Sequence, residues 1–202
     1  GITLSGGQLA RLAQLKVWSE GHCDAWINNT APYFRPFMGA LTAQALIMHY
    51  TYIGADPATI TRLADLADYA WASCWKATAG AWGQANSFLY TDRNTGNIDD
   101  LFVQPDLNML IAPWWGWLYY IGAGAGYRTD GDLIFEGGVP VYSGASHISG
   151  SYLGPRNSES YPSGKQYFQQ LFWGPLYIQW AEAGTGAGTA YTSSTAGNWT
   201  TA

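Results

Sequence analysis

The residues best suited to chemistry here are the aromatic ones: eleven tryptophans and fourteen tyrosines in 202 residues. Such rings offer an apolar body with a polar tip. They stack on sugar faces, and amide and hydroxyl neighbours complete a neutral glycan site. Trp82, Trp114, Trp115, Trp117 and Tyr142 are the candidates for substrate binding. The competing reading is that they fill a core. Trp is large and rarely fully buried, so a core made of all eleven is not expected. Among the acids, Asp99-Asp100 and Asp106 cluster beside the Trp-rich stretch Ala112–Gly124. Asp92, Asn94 and Asp99 place oxygens on nearly alternate residues, as a calcium loop would. That run lacks the sixth-position glycine and terminal Glu of an EF-hand, and a plain turn is the alternative. His22-Cys23-Asp24 has ligand types, but three histidines in all, with no His-x-x-x-His, argue against zinc. The Gly-Ala-Gly turns follow helices rather than precede them, so no phosphate loop is expected, and no serine nucleophile elbow is present.

Periodicity describes the elements that must position these groups. Leu9, Leu12, Leu15 and Trp18 recur every third residue, which predicts a helix over 7–20 stopped by Gly21. His22 to Trp26 then falls in a connector ending at Ala31-Pro32. Pro36 opens a second helix running to about Ile53. Phe37, Leu41, Ala45, Met48 and Tyr52 form one stripe, widened by Leu46 and Ile47, which predicts burial on most sides. Asp56-Pro57 reads as cap and first residue of a third helix, with Ile60, Leu63, Ala67, Ala70 and Cys74 inward. Gly54-Ala55 closes an antiparallel hairpin. His49 reads as a core or interhelix histidine.

Beyond the hairpin, Ser87–Thr91 reads as a short strand, 94–97 as a turn, and 98–103 as a returning strand or loop. Pro105-Asp106 starts a long helix ending at Gly122, which Pro113 kinks or divides. A short helix covers 127–137. Val139–Pro162 reads as an ordered Gly/Ser/Tyr-rich surface loop. Ser163–Gln166 has capping-box form and opens a last helix to about Ala183, kinked near Pro175. Residues 1–183 make one domain, and 184–202 a Thr/Ser/Gly-rich tail.

A kernel of aromatic–X–Gly–X–Leu occurs three times, as Phe37–Leu41, Trp114–Leu118 and Phe172–Leu176. A glycine inside a helix costs about 1 kcal/mol against alanine, and close helix–helix approach is the simplest reason for keeping one. Tyr52-Ile-Gly-Ala55 and Tyr120-Ile-Gly-Ala123 match 68 residues apart, which supports a repeated hairpin.

The bulk numbers set limits. Only 11% of residues are charged, against about 25% in a typical soluble domain. Net charge is −5 with no basic block, which argues against nucleic acid and anionic lipid as partners. No uninterrupted apolar stretch reaches the ~18 residues of a membrane span. No signal peptide is visible, and a chain opening on Gly1 reads as processed or cut from something longer. Cys23 and Cys74 are expected as buried thiols, with a disulfide as the alternative.

Arg35-Pro-Phe-Met-Gly-Ala-Leu41, with Tyr50 and Gly54-Ala55-Asp56, resembles an inner helix and turn of the α/α-toroid proteins. These are the six-hairpin class of many glycosidases and polysaccharide lyases. Tyr119–Ala123 with Tyr127-Arg128 and Gly131–Phe135 is similar to the same pattern, and Lys165–Gln170 with Trp173 and Tyr177–Trp180 resembles a closing inner helix. The likeness touches about half the chain, with two hairpins and one further long helix rather than six. It implies a mainly α fold, a partial toroid-like array of antiparallel hairpins carrying a short β-hairpin and the long loop. It also implies chemistry. A hydrolase of this class uses paired carboxylates, for which Asp99 and Asp106 are the candidates. The alternative is that Asp106 caps its helix and Asp99-Asp100 are solvated. A lyase uses Tyr or His to move the proton, for which the loop supplies His147 and Tyr161, with Arg156 to bind substrate. An ordinary polar loop is the alternative there.

Two functions follow. One is a polysaccharide-contacting module of a secreted or particle-surface protein, binding glycan or cleaving it as a glycoside hydrolase or polysaccharide lyase. The other is a non-enzymatic assembly protein whose aromatic surface packs against copies of itself or neighbouring domains. No cofactor is expected beyond the calcium candidate.

Overall fold

The computed structural model describes residues 3–77, 86–96, 100, 103–138, 141–143, 147–149 and 164–184. Helix α1 spans Gly6–Ile27, opened by Ser5, whose hydroxyl accepts from the Gln8 N–H while the Gln8 side chain returns to the Ser5 N–H. It passes straight through Gly21, so His22 to Trp26 are helical rather than a connector. Contacts beyond the glycine carry it on: Cys23 is fully buried, Arg62 holds Asp24, and Trp26 packs edge-on against Phe34 at 5.4 Å. Helix α2 is Pro36–Tyr52 and α3 is Pro57–Cys74, capped by Asp56, whose carboxylate accepts from the Ala58 N–H. Lys16 reaches Asp56 at the start of α3, and Asp24 meets Arg62 farther along it. So α1 and α3 run parallel and α2 runs back against them.

The chain then repeats this order. A 3-10 turn at Pro105–Leu107 leads into α4, Asn108–Tyr120. The helix α5 is Gly126–Gly138 and α6 is Gly164–Ala183. Asn108 of α4 donates to the Ile134 carbonyl near the end of α5, while Trp115 faces Gly131 earlier in it, so this pair is antiparallel. Asp132 accepts from Tyr177 and Arg128 reaches Glu182, so α6 reverses against α5. Pro113 and Pro175 both lie inside continuous helices, so neither proline divides its helix. Gly122, at φ +83°, ends α4: its N–H bonds the Tyr119 carbonyl and the Ala123 N–H bonds that of Leu118. This is the left-handed cap that glycine adopts without a Cβ penalty.

Four short strands complete the described chain. β1 (Trp75–Lys76) pairs antiparallel with β2 (Ser87–Phe88), while Val103 joins through one bridge to Leu89. The strand near 87 is therefore present, but its main partner directly follows α3 instead of being 98–103. β3 (Val141–Ser143) and β4 (His147–Ser149) form a hairpin inside the stretch read as a loop. Val141, Tyr142 and Ile148 are the strand-forming residue types that carry it. Cys23 and Cys74 are free and buried, and burial pushes both thiols up to about 12.

The repeated glycines divide by cause. A Cβ on Gly39 would lie 2.8 Å from the Phe34 ring and 3.5 Å from Trp114. On Gly116 it would lie 2.9 Å from the Tyr177 ring and 3.2 Å from its carbonyl. Both sit at close approaches. Gly174 does not, its nearest neighbour being 3.7 Å away on Phe135. It precedes Pro175, where a Cβ would meet the proline ring in helical backbone. Gly116→Ala should therefore cost about 1–3 kcal/mol, whereas Gly21→Ala, with nothing within 4 Å, should gain up to about 1 kcal/mol. Urea denaturation of the two variants checks this, and equal effects would remove the close-approach explanation.

Candidate functional site

The side of α2 that faces the core is made of small and medium residues: Pro36, Gly39, Ala40, Ala43, Leu46 and Ile47. They let the Trp114 ring come close. The large side chains of the expected buried stripe consequently point outward: Leu41 is 48%, Met48 61% and Tyr52 77% exposed. On α1, Leu9, Leu15 and Trp18 of the three-residue repeat are exposed as well, and Leu15 lies beside Met48 and Tyr52. Burial of α2 on most sides is thus overturned. Its stripe is real, but it faces away from α4 because the opposite side is already closed by close packing.

Between α1 and α2 lies a cleft of about 290 Å³, walled by Leu12, Leu15 and Ser19 on one side and Ala45, Met48 and Tyr52 on the other. Its charged wall residue, Lys16, donates to Glu20 at 2.6 Å and Asp56 at 3.0 Å. The Glu20 hydrogen bond leads the effects that raise the Lys16 pKa. The ammonium is therefore matched by acids of its own chain. His49 also lines the cleft, and its Nδ1 is buried without a hydrogen-bond partner. Such a cleft has little to offer a polar substrate and much to offer an apolar side chain.

The residues singled out for chemistry are placed otherwise. Trp114, Trp115 and Trp117 are 0%, 1% and 2% exposed, so they are core and cannot stack on a sugar. The cause is α4 itself, packed by α2, α3, α5 and α6. Trp82, Asp99, Arg156 and Tyr161 lie outside the described residues. Tyr142 pairs with Ile148 and His147 with Ser143 across the β3–β4 hairpin. Asp106 sits in the 3-10 turn, partly exposed. An acid suits the positive end of a helix there. Asp100 is fully buried rather than solvated, its Oδ2 accepting from the Thr95 N–H at 2.5 Å and hydroxyl at 2.6 Å.

Of the calcium candidate, Asp92 is turned inward and Asn94 is exposed. Asp92 accepts from the Phe34 N–H, the Tyr69 hydroxyl and Arg93. Asn94 accepts from the Gly96 N–H in a local turn. Among the described residues no cluster of three or more His, Cys, Asp or Glu forms a metal site, and no helix is long and apolar enough to cross a membrane. Arg128, Asp132 and Tyr177 make a further polar group, with Tyr177 donating to Asp132 at 2.5 Å. Burial, ahead of the Asp132 bond, raises the Tyr177 pKa. That group ties α5 to α6.

No protein-family model matches this chain, and no curated protein or solved structure matches it significantly. The site is therefore read from its own geometry. Sequence reasoning passed over the α1/α2 surface because it assumed that an apolar stripe faces a core. The available signal was that two neighbouring helices each carry such a stripe.

The Asp92 network yields a pH prediction. Burial raises its pKa, but bonds from Arg93, the Phe34 N–H and Tyr69 outweigh it and hold the carboxyl below its ordinary range. Its stabilising contribution is thus complete above the unfolded value of about 3.9 and fades as pH falls through the lower folded value. Asp92→Asn should cost on the order of 1–3 kcal/mol at neutral pH and flatten the loss of stability below pH about 4. Urea midpoints measured across pH decide it, and parallel curves for the two proteins would exclude the network.

Proposed function

We propose that this chain is an assembly module whose α1/α2 surface packs against the same surface of a second copy. The supporting observation is the extent of exposed apolar side chain in one place. Met48, Tyr52 and Ile53 line the cleft on one side and Leu15 on the other, and Met38, Leu41, Leu9 and Trp18 are exposed on the same two helices, all eight between 37% and 77% exposed. At roughly 100 Å² apiece they present on the order of 800 Å². The largest apolar patch of an ordinary monomer is about 300–600 Å², and a stable complex buries about 800 Å² per partner. Charge favours a second copy as the occupant. Lys16 is neutralised within its own chain, so face-to-face pairing about a twofold axis brings no unmatched charge together at the cleft despite the net −5. A second reading, contact with polysaccharide at a secreted or particle surface, is supported by a separate feature: Arg35 held between Tyr33 and Tyr90.

Sedimentation velocity tests the assembly. Wild type should sediment as a dimer, and the doubly substituted Met48→Glu, Tyr52→Glu chain as a monomer with unchanged helical circular dichroism. Both side chains are exposed, so the substitutions leave the core alone. A wild type that stays monomeric up to its solubility limit, or a variant that stays dimeric, would refute the reading.

A further inference from the structure

The α1/α2 surface carries both an open apolar cleft and an exposed ring. The cleft, of about 290 Å³, has Leu12, Leu15 and Ser19 of α1 on one wall and Ala45, Met48 and Tyr52 of α2 on the other. The ring is Trp18, 58% exposed. Of the described tryptophans it alone neither belongs to the core nor packs against it. A folded chain normally covers most of an indole, and an uncovered one is a side-chain type enriched at the centres of protein interfaces.

Leu15 lines the cleft, and Trp18, three residues on, is its neighbour on the helix surface. Trp18 is not itself a lining residue, so the ring stands beside the cleft of its own chain without entering it. A twofold axis makes every contact reciprocal, and a ring beside one cleft is then presented to the opposite one. Size agrees with this: a dry apolar cavity of about 150 Å³ takes a benzene, and the cleft has room for the larger indole. Charge agrees as well. Glu20 and Asp56 hold the Lys16 ammonium at the cleft wall, and a cation is attracted to the face of an aromatic ring, most strongly to tryptophan. That separates Trp18 from Leu9, Met38 and Leu41, the other exposed side chains of this surface outside the lining.

We propose that Trp18 anchors the pairing of two copies: its indole enters the α1/α2 cleft of the second copy, whose own Trp18 enters the first. This anchor rests on the assembly reading and gives that pairing its central contact. A few aromatic side chains seated in pockets carry most of the energy of an interface, and the residues around them serve mainly to exclude water. Met48 and Tyr52, exposed at the cleft wall, take that second part.

Sedimentation over a dilution series tests the anchor. Wild type should dimerise, Trp18→Ala should raise the dissociation constant about tenfold or more, and Val17→Ala should leave it unchanged. Val17 is the matched control, 59% exposed and about 100° round the helix from Trp18. Cross-linking reads the contact directly. A mixture of Trp18→Cys and Ala45→Cys copies, oxidised with copper phenanthroline, should give a disulfide-linked dimer, in which the Ala45→Cys copy still supplies one Trp18. Val17→Cys mixed with Ala45→Cys should not. Cys23 and Cys74 are buried and stay out of the reaction. A wild-type dimer indifferent to Trp18→Ala, or equal cross-linking from Val17→Cys and Trp18→Cys, would overturn the anchor and leave the assembly standing. A wild type that never dimerises would overturn both.

Discussion

Four of the described helices lean on one enclosed helix. From Asn108 to Leu118, every residue of α4 is buried, and α2, α3, α5 and α6 all pack on it. Such a helix carries no amphipathic stripe, because it has no outside. It must instead settle its few polar groups internally. The Asn108 side chain accepts from Ser87 and donates to the carbonyls of Asn86 and Ile134, and the Trp114 indole N–H donates to the Leu63 carbonyl. These bonds join α4 to α3, to the β2 region and to α5, so they orient the surrounding elements as well as satisfying the buried groups.

The fit around α4 depends on missing side chains as much as on large ones. Gly39 admits Phe34 and Trp114, Gly116 and Gly131 admit Tyr177, and Gly137 packs directly against the Asn86 backbone. Large rings filling the space left by glycines give a dense core from few residues. The consequence reaches the surface. Because α2 shows α4 its small side, its bulky side chains are displaced outward, and the apolar α1/α2 cleft results from packing at the opposite face of the same helix.

Local signals in the sequence located most of the helices. Asp56-Pro57 begins α3, Gly122 ends α4, and Pro36 opens α2, because caps and proline geometry act within a turn or two. Where the reading failed, tertiary contacts had overridden local preference. Gly21 does not stop α1 because Cys23, Asp24 and Trp26 are anchored by α3 and Phe34. The direction a stripe faces is a property of its neighbours, so periodicity found the α2 stripe and could not say which way it pointed. For the same reason the Trp-rich stretch looked like a sugar platform: composition marks the rings, and only the surrounding helices decide that Trp114, Trp115 and Trp117 are enclosed. The Arg35 clamp was invisible for another reason, since Tyr90 reaches it from more than fifty residues away.

The joint between α5 and α6 carries a consequence for how this fold can change. The two helices run antiparallel and touch, yet 25 residues separate Gly138 from Gly164. Connections between packed helices usually need about 2–8, and each doubling of a flexible loop costs only about 0.6 kcal/mol. Joining the two helices therefore does not by itself call for so long a connection, and the pairing of α5 with α6 sets no upper limit on its length.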